Sequence, residues 1–369
     1  MTDFSPNRNF GLDVVRAAAI TLVLVSHARQ MLADPDSGLI LTFGGGFGVE
    51  LFFALSGYLI GTILLRMFSR RVTPGDLADF WFRRWMRTVP PYLTVLAVTA
   101  LAFGSFDPAY LFFLQGILRA DFSIMPVSWS LAVEEWFYLL FPLLALACTA
   151  FGRRRGFLIA AIILLVAPIL FRVAQYAYGP PLSEFSGGMR KNTFRFDSLA
   201  MGVLLAYALD GTERLRLLER HRLVVSLLAA GSFALALGLH ASQFTAYAVA
   251  APDWFRPVLL WSAYGFVSVL IVAALALVRD APSWPVAWPV IYVSRVSYSA
   301  YLWHLLFMAA LLRVFDDQRG AVLYWAFILG SLAISGAMYV ATERPFLRLR
   351  DRVSARRSQG SDRNIAVAA

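Results

Sequence analysis

Residues 12–31 read LDVVRAAAITLVLVSHARQM. Roughly 20 apolar residues in an α-helix cross a hydrocarbon core of about 30 Å, so the stretch has the length of a membrane span. Yet it carries Asp13, Arg16 and His27. A charged side chain at the bilayer centre costs about 2.5–3.5 kcal/mol or more, so each of these needs a partner or a task. At about 100° per residue, the eleven-residue step from Arg16 to His27 returns to within roughly 20° of one face. Asp13 lies one turn before Arg16. The three share one stripe, with Arg16 and His27 about 16 Å apart along the axis. Asp13 and Arg16 read as a structural ion pair or as part of a site, and His27, the side chain suited to proton transfer near neutrality, reads as a general base. The same charged residues do not fit the uncharged core of a signal peptide, so the stretch is expected to be retained as the first helix.

Comparable apolar runs recur near residues 46–67, 90–103, 131–150, 157–176, 196–209, 223–239, 257–278, 294–315 and 322–342, the third and sixth runs of the series being short. With 59% apolar and 15% charged residues, the chain lies outside the balance of a soluble domain. The fold class expected is all-α: one polytopic membrane domain of about ten transmembrane helices. A net charge of +10 would suit a nucleic-acid partner, but the basic residues fall in alternate loops, at Arg66 to Arg87, Arg153 to Arg155 and Arg214 to Arg222. The positive-inside rule then puts both termini in the cytoplasm, with the bilayer and not nucleic acid as the partner. The loop holding Arg190, Lys191 and Arg195 breaks the pattern. Cys148 is the single cysteine, which excludes an intrachain disulfide. The segment 107–118 is apolar but too short to span and reads as re-entrant or interfacial, and residues 347–369 read as a basic, disordered cytoplasmic tail.

Other ionisable residues stand inside or beside these runs. In WSLAVEEWFY, residues 129–138, Ser130 reads as an N-cap, and two adjacent carboxylates, Glu134 and Glu135, follow about a turn into the helix. Glu134 and His27 fall at similar depth. Ser56 and Gly57 sit near mid-membrane, where close helix packing is the simple reading and a pore-lining hydroxyl the other. Arg84 and Arg87, an i to i+3 pair just before Pro90, serve either as positive-inside anchors or as a phosphate clamp, since planar guanidinium forks bind phosphate bidentately. His304 lies within an apolar run, where it bonds a neighbouring helix or lines a substrate route. No His-x-x-His pair, cysteine cluster or glycine-rich phosphate loop is present, so no metal or permanently bound cofactor is expected.

The succession LDVVR with His27 eleven residues beyond Arg16, GVELFFALSGYLI, RRWMRTVPPY, WSLAVEEWFY, FRFDSLAMG, SYSAYLWH and TERPF resembles the acyltransferase-3 family, over about residues 11–346. Members of that family O-acylate bacterial surface glycans and some antibiotics. Glu50 stands where an aspartate is more usual. The resemblance implies Arg16 and His27 as catalytic, Arg84 and Arg87 as donor-binding, and acyl-CoA, with acetyl-CoA foremost, as a co-substrate met from the cytoplasm. It implies a carbohydrate or glycoside acceptor, and the bacterial inner membrane as location. Many members carry an added extracytoplasmic hydrolase-like domain; none is expected here, so the chemistry is expected among the membrane helices.

The expectation is therefore a transmembrane O-acyltransferase in which Arg84 and Arg87 hold the CoA phosphates and Ser56, Tyr301 and His304 line the donor route. His27 acts as base, oriented by Glu134 or Asp197, and Arg16 with Asp13 steadies the channel. The alternative is a proton-coupled exporter, which also uses intramembrane Arg, Asp and His. The acceptor and the oligomeric state are left open.

Overall fold

The computed structural model describes residues 8–32, 39–118, 122–178, 195–241, 254–315 and 318–354. Every regular element among them is helical: α1 (Phe10–Ala28), α2 (Leu39–Phe68), α3 (Pro74–Phe103), α4 (Ser128–Ala147), α5 (Arg153–Tyr178), α6 (Asp197–Ala208), α7 (Thr212–Arg220), α8 (Arg222–Ala241), α9 (Leu260–Leu275), α10 (Trp284–Phe315) and α11 (Ala321–Met338), with shorter turns between some of them. Seven helices are long and apolar enough to cross a membrane, and an eighth crossing appears if α7 and α8, bent by 71°, are one span. The chain is an all-α polytopic membrane protein. The two remaining apolar runs form α6, of 12 residues, and α9, of 16. At 1.5 Å per residue these reach only about 18 and 24 Å, short of a full hydrocarbon core.

Three boundaries differ from the sequence reading. The third helix starts at Pro74, not near Pro90, because Thr73 and Asp76 form a capping box and Pro74 occupies the first turn. Arg84 and Arg87 consequently sit inside a 30-residue helix that continues through Pro90 and Pro91. The two prolines lack the N–H groups that would bond the Met86 and Arg87 carbonyls. Beside them the Thr94 hydroxyl donates to the Pro90 carbonyl at 2.9 Å, and the Tyr298 hydroxyl ties α10 to α3 through the Thr88 carbonyl at 2.7 Å. The last span continues helically to Ser354, through a π-turn at Tyr339–Glu343, so residues 347–354 are not disordered; later residues lie outside those described. Ser130 is not a helix cap, since α4 begins at Ser128.

Helix α2 is the hub, packing most extensively on α6 and α1. Small residues allow this, as the sequence suggested for Ser56 and Gly57: a Cβ on Gly57 would overlap the Leu199 carbonyl oxygen, and one on Gly202 the Ala54 carbonyl. Two buried ion pairs lock the short α6 in place. Arg172 of α5 bonds Asp197 of α6 at 2.8 Å, and Ser262 of α9 donates to the same carboxylate at 2.6 Å. Arg195 pairs with Glu50 of α2, which also accepts the Ser198 hydroxyl, while its guanidinium lies 4.4 Å from the Trp261 ring centroid. Arg195 is thus a buried structural charge and not the loop charge expected. The segment 107–118 folds as two short turns whose Tyr110 is buried, and the Phe113 carbonyl accepts the Trp136 indole at 3.0 Å.

Replacing Asp197 by Ala strands the Arg172 guanidinium among three helices. Breaking a buried pair from one side costs about 3–5 kcal/mol. The unfolding midpoint of the purified protein in detergent is expected to fall sharply for Asp197→Ala and to be largely restored in Arg172→Met, Asp197→Leu, where neither charge is left alone.

Candidate active site

Five helices, α1, α2, α3, α4 and α10, surround a cavity of about 120 Å³. Arg16, Arg84 and Arg87 enter it from two sides, and Glu134 is the carboxylate on its wall. Along α2 the lining runs from Val49 to Leu59, ten residues or about 15 Å of helix.

Each charged group has a distinct setting. The Asp13 carboxylate is shared by Arg8, Arg16 at 3.4 Å and the Ser294 hydroxyl at 2.7 Å. Asp13 is therefore engaged in pinning α1 to α10 and in aiming Arg16. Arg84 lies 5.7 Å from the Tyr138 ring centroid. Glu134 is met by the hydroxyls of Ser56 and Tyr138, which also bond each other. The neighbouring Glu135 is buried against Thr88 and Trp85. At the other end of the cavity the Ser130 and Tyr301 hydroxyls bond each other at 2.6 Å.

His27 and His304 do not line this cavity. They stand together one turn beyond Tyr301, their ring centroids 4.9 Å apart with the planes at 64°. His27 Nδ1 lies 2.8 Å from the Val23 carbonyl oxygen. A carbonyl only accepts, so this nitrogen carries the hydrogen and Nε2 keeps its lone pair, the state a general base requires. The partner of this ring nitrogen is thus the Val23 backbone. Glu134 is turned to hydroxyls instead, and Asp197 is held by Arg172, so neither carboxylate has the orienting role expected of it.

Of the residues singled out from sequence, Arg16, Ser56, Arg84, Arg87, Glu134 and Tyr301 share the cavity, His27 and His304 form a pair beside it, Asp13 supports Arg16, and Asp197 belongs to the structural lock. Tyr138, Thr88 and Tyr298 also line the cavity and were not anticipated. Their signal was spacing: Tyr138 follows Glu134 by four residues, Thr88 follows Arg84 by four, and Tyr298 precedes Tyr301 by three, each on the same helical face.

The model of a family described as an acyltransferase domain matches residues 9–340. The chain belongs to this acyltransferase family. Relatives include a protein named as a putative peptidoglycan O-acetyltransferase, YrhL, of Bacillus subtilis, 26% identical over 352 aligned positions that cover 86% of this chain and 51% of the relative. The O-acetyltransferase OatA of Staphylococcus aureus is 27% identical, covering 82% of this chain and 51% of its own. The peptidoglycan O-acetyltransferase OatA of Listeria monocytogenes is 27% identical over 79% of this chain and 48% of that protein. The chain therefore spans about half the length of these curated relatives. No solved structure matches it.

Proposed function

We propose that this protein moves an acyl group, acetyl foremost, from cytoplasmic acyl-CoA to a hydroxyl of a glycan or glycoside acceptor, with His27 as general base. The observation that carries the reading is the cavity holding three guanidiniums beside an imidazole whose lone pair is free. Arg16 is held by Asp13, and the other two cations, Arg84 and Arg87, against one wall carboxylate suit an anionic ligand, since planar forks suit phosphate. Arg84 and Arg87 hold the CoA phosphates, and Arg16 steadies the donor. The 15 Å lining of α2 matches the reach of a pantetheine arm, so the thioester is brought past Ser56 and Tyr301 to His27.

In the transfer step the acceptor O–H proton passes to His27 Nε2 while the acceptor oxygen attacks the acyl carbon. The carbon–sulfur bond breaks, and the thiolate takes up the proton as free CoA. The basic residues of Arg66 to Arg87, Arg153 to Arg155 and Arg214 to Arg222 support both termini on the cytoplasmic side of a bacterial inner membrane. Peptidoglycan or a related envelope glycan is the acceptor suggested by the names of the relatives.

His27→Ala is expected to abolish CoA release from acetyl-CoA by the purified protein without lowering its yield, a reaction that an exporter would not perform at all. Turnover near that of the parent would remove His27 from the chemistry. Arg84→Ala with Arg87→Ala is expected to raise the KM for acyl-CoA by about tenfold or more, each lost charge-assisted bond being worth roughly 1.5–3 kcal/mol, while the acceptor KM moves little. An unchanged donor KM would end the clamp assignment.

A further inference from the structure

Resting on the reading of His27 as base, we propose that His304 is its proton-sharing partner: His304 Nε2 accepts a hydrogen bond from the imidazolium that His27 becomes during acyl transfer. The sequence suggested a place for His304 along the donor route, but the cavity is lined only as far as Tyr301, and the ring centroid of His304 stands 4.9 Å from that of His27.

The argument starts from which nitrogen of His304 is committed. Its Nδ1 lies 3.0 Å from the Ala300 carbonyl and 2.9 Å from that of Tyr301, so Nδ1 carries the hydrogen. Its Nε2 is buried and bonds nothing among the described residues, in a side chain that is 1% exposed. A buried acceptor left unpaired is unfavourable and calls for an explanation, more so within a span where water does not reach it. The nearby hydroxyl does not serve, because Tyr301 is turned to Ser130 and to the Val127 carbonyl.

The neighbour that can satisfy this nitrogen is His27 in its protonated state. Since Val23 occupies the Nδ1 hydrogen of His27, the proton taken from the acceptor arrives at Nε2. The new N–H then has an acceptor waiting on the adjacent ring. The proton is shared, not consumed: the acceptor O–H bond breaks, N–H forms at His27, the acyl carbon exchanges sulfur for oxygen, and the departing thiolate collects the proton. Neither imidazole changes its proton count over the cycle. His304 never touches the acyl group, so it is a positioning residue for the charge on His27.

Two substitutions separate this role from packing. His304→Asn keeps an N–H for the Ala300 and Tyr301 carbonyls but lacks anything at the Nε2 position, whereas His304→Gln can bring an amide oxygen there. The full chain is expressed in bacterial cells lacking their own copy, and alkali-released acetate from envelope glycans is measured beside acetyl-CoA binding by the purified variants. His304→Asn is expected to lower acetate by about tenfold or more with acetyl-CoA affinity and unfolding midpoint unchanged, His304→Gln to recover part of it, and the Asn variant combined with His27→Ala to lose nothing further. Acetate at the parental level in His304→Asn while His27→Ala is inactive would overturn the pairing alone. Weaker acetyl-CoA binding by His304→Asn, matching its loss of acetate, would return His304 to the donor route and overturn it equally. Full acetate in His27→Ala, or none above background in the parent, would instead remove the function on which the pairing stands.

Discussion

A guanidinium in hydrocarbon has to meet a carboxylate, an aromatic face or a ligand, and the arrangement of this protein follows from how each arginine meets that demand. Arg172 is held by Asp197, Arg195 by Glu50 and two tryptophan rings, and Arg16 by the carboxylate of Asp13. The first two contacts join different helices and seat a helix too short to cross the core by itself, while the third lies within α1. Arg84 and Arg87 are different. Both enter the cavity, and among the described residues neither stands in a salt bridge like those of the other three. Paired arginines support the scaffold, and the remaining two are the ones to which the proposed function assigns an anion brought from outside.

The same ion pairs set the position of the chemistry. Asp13 accepts from Ser294 and so joins the first turn of α1 to α10, while His27 and His304 meet further along the same two helices. The two contacts hold α1 and α10 together at two levels. The close approach of α2 through Gly57 and Gly202 then brings Ser56 to Tyr138, completing the wall opposite.

Much of this was legible in the residues. The apolar runs all appear as helices, and Arg16, Ser56, Arg84, Arg87 and Glu134, spread along a path by their expected depths, line one cavity. What the sequence hid is of two kinds. Helix ends were misjudged where proline has two meanings: Pro74 opens α3, whereas Pro90, which reads equally well as an opening, lies inside it. Partner choice was misjudged because depth along a helix leaves rotation about the axis open. The sequence put Glu134 and His27 at similar depth, yet Glu134 turns to the hydroxyls of Ser56 and Tyr138 near Arg84, while His27 meets His304 beyond Tyr301. Arg195 misled for a related reason, since a cation flanking an apolar run looks the same whether it faces water or a buried glutamate from another helix.

That difference in rotation has a chemical sense. Had a carboxylate oriented His27, the pair would bring a full negative charge into a region where each charge is costly, and that charge would hold a proton on the imidazole between turnovers. The Val23 carbonyl fixes the same tautomer with a neutral group. In the proposed function the ring would rest uncharged, and positive charge would arise on it only while the acceptor loses its proton. Glu134 is kept instead beside Arg84 and the hydroxyls of Ser56 and Tyr138, where the same proposal puts the donor phosphates. On that reading the anion-balancing carboxylate and the base stand a cavity's length apart, so that one set of helices could hold a multiply charged donor at one end and a neutral base at the other.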